Sequence, residues 1–346
     1  MKEGDLALYR RYRPQNFKEV LGQEHITSVL EGSIKLGRIS HAYLFAGSRG
    51  TGKTSVARIF AREVGTTVDD TYEIDAASNT GVDDMRSLNE SVNVSPFSSK
   101  YKVYIVDEVH MLSKSAFNAL LKTLEEPPKH VIFILATTEV EKLPETVISR
   151  CQIFSFNRPS QEMLAEVVAT TAKKEGFSLE PSSADLVALL AEGSFRDALG
   201  ILQKVTSSSR DKKVSIEEVE VVTGAPRGKS INDLVAAIDE RSIENALEIV
   251  RKMAQNNTDA RVFCKLLLRK LRFVLLLRYA PRLKDKIKGE LSGEDFEFLS
   301  GRSAKKESGI NESLLLSLLD AYDQIGRSYI PELPLELALM KVLART

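Results

Sequence analysis

The segment Gly47-Ser48-Arg49-Gly50-Thr51-Gly52-Lys53-Thr54 matches G-x-x-x-x-G-K-[ST] at every fixed position, the pattern of a phosphate-binding loop. Its glycines let the backbone curl so that N–H groups face phosphate oxygens, and a helix directly after it adds the positive end of its dipole. In that chemistry Lys53 reaches the β- and γ-phosphates of ATP, and the Thr54 hydroxyl coordinates Mg²⁺. The second half of such a site is Val103-Tyr104-Ile105-Val106-Asp107-Glu108, an apolar run that closes in two acids. Asp107 suits the Mg²⁺ shell, and Glu108 suits orienting and deprotonating the attacking water. Two acids with separate tasks favour hydrolysis over transfer to a second substrate. Thr138 follows an apolar run that closes with Ala136-Thr137-Thr138, where a hydroxyl can meet the γ-phosphate or the water, although threonine is also simply a good strand residue. Arg150, in Ser149-Arg150-Cys151, and Arg196, in Gly193-Ser194-Phe195-Arg196-Asp197, are candidate cations for stabilising the transferred phosphoryl group.

These residues need elements that converge. Ala42-Tyr43-Leu44-Phe45-Ala46 reads as a short buried strand and residues 53–63 as a helix, so the phosphate loop sits between strand and helix as its mechanism requires. A strand around Glu73-Ile74-Asp75, a helix near 82–92, and the β-branched runs Lys102–Val106 and Val131–Leu135 follow. Ser115–Glu125 has helical spacing and stops at Pro127-Pro128, which cannot continue a helix. This alternation predicts an α/β fold, a mostly parallel sheet with helices on both faces.

After Cys151-Gln152-Ile153-Phe154-Ser155-Phe156 strand signals almost vanish. Leu164, Val167 and Val168, then Leu186, Leu189 and Leu190, carry helical spacing. Gly224-Ala225-Pro226-Arg227-Gly228 is the best linker, and beyond it Ile231, Leu234, Val235 and Ile238 follow i, i+3, i+4, i+7. The expected parts are an ATPase domain over 1–158, a small helical lid over 159–225 and an all-α C-terminal domain over 226–346. A chain of 346 residues suits such a division, since single cores stop growing below that size.

Lys plus Arg equals Asp plus Glu at 48 each. That balance argues against a wholly basic surface for nucleic acid and leaves a local basic face open. Cys151 and Cys264 are the only cysteines, too few for a disulfide framework or zinc spacing, and they fit a reducing compartment. Met1-Lys2-Glu3-Gly4-Asp5 lacks an apolar signal segment, and the apolar Phe273–Leu277 is flanked by Arg272 and Arg278. The expectation is a cytoplasmic protein with no membrane association.

Further motifs extend the pattern: Tyr12-Arg13-Pro14-Gln15-Asn16-Phe17, Val20-Leu21-Gly22-Gln23-Glu24-His25, Ile74-Asp75-Ala76-Ala77-Ser78, Asp107-Glu108-Val109-His110-Met111-Leu112 and Phe117-Asn118-Ala119-Leu120-Leu121-Lys122-Thr123-Leu124-Glu125-Glu126-Pro127-Pro128. With the phosphate loop and Ser149-Arg150-Cys151, the chain resembles the clamp-loader ATPases of the AAA+ class, most closely the gamma/tau subunits of bacterial DNA polymerase III. The resemblance covers residues 6–225 and, more weakly, the remainder. It implies an ATP-hydrolysing subunit that opens a sliding clamp and loads it onto primed DNA. It also implies assembly with delta and delta-prime type subunits and further copies of itself. Arg150 resembles an arginine finger reaching a neighbouring subunit's ATP, and Arg196 the sensor arginine of the lid. Tyr9, Arg13, Pro14, Val20 and Leu21 fall where the family lines its adenine pocket, and the C-terminal helices resemble the collar that holds the ring. Family members commonly carry a four-cysteine zinc module between the phosphate-loop helix and the next strand. Val64–Thr71 contains no cysteine, so no zinc is expected. DNA backbone contacts are expected near Asn79-Thr80 and Ser113-Lys114-Ser115. Two other readings remain: a nucleotide-binding stator, which the intact Lys53, Thr54, Asp107 and Glu108 oppose, and another AAA+ motor such as a branch-migration helicase.

Overall fold

The computed structural model describes residues 6–344 apart from 79–80, 210, 257, 290, 292 and 306–307. The chain divides into two compact units, Met1–Gly176 with Val187–Gln203, and Phe177–Leu186 with Lys204–Thr346. The first opens with α1 (Leu8–Arg11) and α2 (Glu24–Lys35). Strand and helix then alternate through β1 (Ala42–Ala46), α3 (Lys53–Glu63), β2 (Thr71–Asp75), α4 (Val82–Val92), β3 (Lys102–Asp107) and α5 (Lys114–Glu125). They continue through β4 (Val131–Thr137), α6 (Glu145–Ile148), β5 (Gln152–Ser155) and α7 (Gln161–Lys174).

The five strands lie in the order β2-β3-β4-β1-β5, and every pairing is parallel. Side chains alternate between faces along each strand. Leu44, Tyr104, Val106, Phe133 and Leu135 pack on one side with Met85, Leu120 and Leu124 of α4 and α5. Tyr43, Phe45, Val103, Ile105, Ile132 and Ile134 pack on the other with Ile26, Leu30, Val56 and Phe60 of α2 and α3. This is the helix-sheet-helix layering expected from the sequence, because β1 and β4 are buried on both faces and read as unbroken apolar runs. Both α5 and α7 start at serine caps, Ser113 accepting from the Ala116 amide and Ser160 from the Met163 amide, each at 3.2 Å.

The outer strand β2 is less buried, and its register places Tyr72 beside Tyr104, which in turn lies beside Phe133. The three rings stack with centroids 5.1 and 5.5 Å apart, and the Lys102 ammonium lies 5.0 Å from the Tyr72 centroid. Cross-strand aromatic pairs of this kind hold a sheet edge that pairs on one side only.

In the second unit, β6 (Ser178–Leu179) pairs parallel with β7 (Lys213–Val214), while α8 (Pro181–Leu190) and α9 (Phe195–Ser208) carry residues of both units. The two-residue ladder was not anticipated, since so short a run has no periodicity. The remaining elements are helical: α10 (Ile216–Thr223), α11 (Gly228–Asp239), α12 (Ile243–Gln255), α13 (Ala260–Tyr279), α14 (Lys284–Gly289), α15 (Gly293–Ser303), α16 (Glu312–Ile325) and α17 (Leu333–Leu343). Gly224 ends α10 in the left-handed region at φ +69°, and α11 starts at Gly228, so the expected linker is a tight turn between helices. Ile231, Leu234, Val235 and Ile238 face a core that includes Phe263, Leu267, Leu271, Leu318 and Leu339. Asp239 is buried there and is held by Ser308, Arg302 and Lys305 at 2.6, 2.9 and 2.9 Å. Among the described residues no helix is long and apolar enough to cross a membrane.

Between α3 and β2 a carboxylate organises the chain. Asp70 is fully buried and accepts hydrogen bonds from the Phe97, Ser98 and Ser99 amides at 2.6, 3.0 and 2.8 Å. Burial works to raise its pKa, but the bonds from the Ser98 and Phe97 amides and from the Ser99 hydroxyl and amide outweigh it, and Asp70 is held well below the usual carboxylate range. A carboxyl with a lowered folded pKa contributes stability that is present above its ordinary pKa and lost as pH falls toward the folded one. Asp70→Ala is therefore expected to cost about 2 kcal/mol at neutral pH by removing the shared acceptor of three backbone amides, measured by urea unfolding. The difference from wild type should shrink below about pH 4; a difference that stays constant into acid would contradict the assignment.

Candidate functional site

The phosphate loop forms because β1 ends at Ala46 and α3 begins at Lys53, leaving Gly47–Gly52 to turn between them. Gly47, Gly50 and Gly52 have φ of +150°, +74° and +104°, values that L side chains adopt rarely. The first-turn amides of α3 have no intrahelical acceptor. Lys53 is buried, and its ammonium donates to the Gly47 and Ser48 carbonyls at 2.7 and 2.9 Å. Burial lowers its pKa, with Glu108 and then Asp107 acting in the opposite direction. Thr51 closes the loop by donating to the Ser48 carbonyl at 2.9 Å.

At the C-terminal end of β3, two strands from β1, Asp107 meets the loop. The Thr54 hydroxyl donates to Asp107 Oδ2 at 2.7 Å, so the two oxygen groups expected to share Mg²⁺ already touch. Glu108 stands in the left-handed region at φ 49°, ψ 44°, an uncommon conformation for a residue with a Cβ. Thr138, one residue past β4, donates to Glu108 Oε2 at 3.1 Å. His110 sits behind this pair, its Nδ1 3.0 Å from Thr137 Oγ1 and its Nε2 3.2 Å from Glu139 Oε1.

A cleft of about 730 Å³ opens over these groups, lined by Arg49 to Thr54, Asp107, Glu108 and Arg196, and on another side by Tyr9, Arg13, Pro14, Val20 and Leu21. The residues singled out in the sequence for a base pocket thus share one cavity with Lys53, Thr54, Asp107, Glu108 and Arg196, whereas Gly47, Ser48 and Thr138 do not line it. The Arg196 guanidinium lies 4.9 Å from the Tyr9 ring centroid. A hydrogen bond from Arg10 lowers the Tyr9 phenol's pKa; burial opposes it, and the nearby Arg196 adds to the lowering. Burial, then the like charge of Arg58, lowers Arg13. Arg150 lines no part of this cleft; its guanidinium is bonded to Glu125 and to the Thr146 carbonyl.

Three contributors escaped the sequence reading. Arg158 Nε donates to Ser48 Oγ at 2.6 Å. Arg58 pairs with Glu73 at 2.7 Å on both arms, and both residues line the cleft. Gly50 docks on the Gly193-Ser194-Phe195-Arg196 turn, its carbonyl accepting from the Phe195 amide at 3.0 Å. A lone arginine or glutamate carries no spacing signal, so only the neighbourhood of Arg158 to a helix start gave any hint.

The last contact makes a direct test. A Cβ on Gly50 would lie 1.9 Å from Ser194 Oγ, whereas one on Gly52 meets nothing within 4 Å. Gly52→Ala should cost only the backbone strain, about 1–2 kcal/mol. Gly50→Ala should cost distinctly more by chemical denaturation, and equal losses would show that the loop and the turn are not packed together.

Residues 22–79 and 65–160 match the family described as DNA polymerase III, delta subunit. The tau subunit of DNA polymerase III from Bacillus subtilis (strain 168) is 47% identical over 240 residues, covering 63% of this chain and 42% of that protein. The Escherichia coli (strain K12) tau subunit is 44% identical over 239 residues, covering 63% and 37%. The gamma subunit from Buchnera aphidicola subsp. Schizaphis graminum is 40% identical over 243 residues, covering 64% and 67%. The matched part thus spans well under half the length of the two tau relatives. Among solved structures, the Thermotoga maritima RuvB Holliday junction branch migration motor superposes with a TM-score of 0.53 at 22% identity, covering 66% of this chain and 79% of that one. That likeness concerns the fold, an AAA+-type α/β core. With this sheet, this loop and these relatives, the chain belongs to the gamma/tau subunit family of DNA polymerase III.

Proposed function

We propose that the chain is the ATP-hydrolysing subunit of a bacterial replicative clamp loader, working in the cytoplasm to open a sliding clamp and place it on primed DNA. The observation that carries this reading is the convergence of Lys53, Thr54, Asp107, Glu108 and Arg196 in one cleft, with Arg150 outside it. The donor set fits a hard divalent cation: a hydroxyl and a carboxylate, 2.7 Å apart, are the oxygen ligands Mg²⁺ takes beside nucleotide phosphates. Thr54 and Asp107 would hold Mg²⁺ there, and the ion would supply positive charge that offsets the negative charge of the nucleotide phosphates.

The chain's own groups divide the remaining work. Lys53 exchanges its two carbonyl contacts for phosphate oxygens, and the loop amides complete the cradle. Glu108 takes a proton from the attacking water, and Thr138 holds its carboxylate until a γ-phosphate competes for the hydroxyl. Tyr9, Arg13, Pro14, Val20 and Leu21 enclose the base. Arg196 moves from the Tyr9 ring to the γ-phosphate of the same subunit, so that nucleotide state changes the position of a lid over 159–225. Arg150 reaches the nucleotide of a neighbouring copy, and hydrolysis then reports assembly. Residues 226–346 form the collar that joins further copies and delta and delta-prime type subunits. DNA backbone is met through the start of α5 at Ser113-Lys114-Ser115; the other expected contact, Asn79-Thr80, lies outside the described residues. No zinc takes part in this scheme.

A branch-migration motor shares the fold, but Ser149-Arg150-Cys151 together with Leu124–Pro128 favours the loader. A stator would bind nucleotide without turnover. The roles separate in the complex assembled with clamp, partner subunits and primed DNA. Lys53→Ala should lose nucleotide binding and turnover together, and Glu108→Gln should bind ATP but release no phosphate. Arg150→Ala should keep ATP binding and lose DNA-stimulated turnover by about a thousandfold. Phosphate release undiminished in Glu108→Gln would favour the stator, and full turnover in Arg150→Ala would remove the shared site.

A further inference from the structure

Arg150 is held at two points on different elements. Its Nη2 donates to Glu125 Oε1 at 2.8 Å, and its Nη1 donates to the Thr146 carbonyl at 2.7 Å, with Ser149 Oγ 3.5 Å away. A guanidinium offers five N–H donors in a rigid plane. Two anchors on two nitrogens fix the orientation of that plane, and among the described residues Nε makes no hydrogen bond. Glu125 is itself fixed in place. It is the last residue of α5, Glu126 caps the helix, and Pro127-Pro128 prevent its extension. The backbone that carries the carboxylate therefore ends at a definite point, where the negative end of the α5 dipole adds to its pull on a cation.

The pair does little for the fold. The side chains of Arg150 and Glu125 are 33% and 53% exposed, and ion pairs this wet contribute little to folding stability. What the contact does determine is where a flexible cation rests. We propose that Glu125 is a positioning residue for Arg150, holding the guanidinium ready for the nucleotide of the neighbouring copy. The proposal rests on the reading of Arg150 given above, and it gives the Leu124-Glu125-Glu126-Pro127-Pro128 segment a task that its helix-stopping prolines alone do not explain. Glu125 in one copy would then govern turnover in the next, not in its own cleft.

The test compares Glu125→Ala, Arg150→Ala and the double variant in the full complex with clamp and primed DNA, reading kcat and KM for ATP. A catalytic group misplaced by an ångström loses rate on the order of a hundredfold. Glu125→Ala should accordingly lower kcat by about ten- to a hundredfold, with KM and the unfolding midpoint unchanged. The double variant should be no slower than Arg150→Ala. If Glu125→Ala does not melt like wild type, Glu125→Gln is read by the same criteria. Wild-type kcat in the glutamate variant beside a slow Arg150→Ala would overturn the positioning role alone, as would an additional loss in the double variant. Wild-type kcat in Arg150→Ala would overturn both the positioning role and the shared site beneath it.

Discussion

The site depends on the parallel run of one sheet. When all strands share a direction, each delivers its C-terminal end to the same edge, and no later loop rearrangement is needed to gather the chemistry. Here β1 releases the phosphate loop, β3 releases Asp107 and Glu108, and β4 releases Thr137 and Thr138, with Ala46 paired to Thr137 in register. A slip of one residue between β1 and β4 would exchange the faces of every side chain on the slipped strand. It would separate the loop from its acids at the same time. The double-sided burial of β1 and β4 therefore protects function as much as stability.

A second coupling crosses from this edge to the turn before α9. Gly50 and the Ser194–Phe195 turn approach so closely that only hydrogen fits between them, and α9 starts there with Arg196 in its first turn. Backbone contact of this closeness transmits displacement without slack. The loop that would hold phosphates and the helix that carries a candidate phosphate sensor are joined at their bases, with Tyr9 lying against that arginine. The guanidinium rests on the Tyr9 ring; under the function proposed above, a bound phosphate would offer it a second partner, which is what a nucleotide-driven switch requires.

Much of this was legible in the residues. The phosphate loop declares itself because its fixed positions are dictated by backbone curvature and by one cation. The strands of the sheet declare themselves because burial on both faces demands unbroken apolar runs, as in Val131–Leu135, and α5 announces its end by Pro127-Pro128. The contacts of Arg158 with Ser48, of Arg58 with Glu73 and of Glu125 with Arg150 were not legible. Each joins residues far apart in sequence through flexible side chains, and nothing in local spacing records such a meeting. The β6–β7 ladder was hidden for a different reason, since two residues are too few to show a period.

The stacked rings of Tyr72, Tyr104 and Phe133 bear on how durable the cleft is. Alternation along β2 sends Tyr72 to one face, while its neighbour Glu73 and the strand's last residue, Asp75, serve the other and line the cavity. The outermost strand has a hydrogen-bonded partner on one side only, so side-chain cohesion must supply what a second ladder would. The wall of the cleft is thus braced from the back of the sheet, by aromatic carbon on the face opposite the cavity. Wear at those rings would loosen the cavity while leaving every residue of the phosphate loop in place.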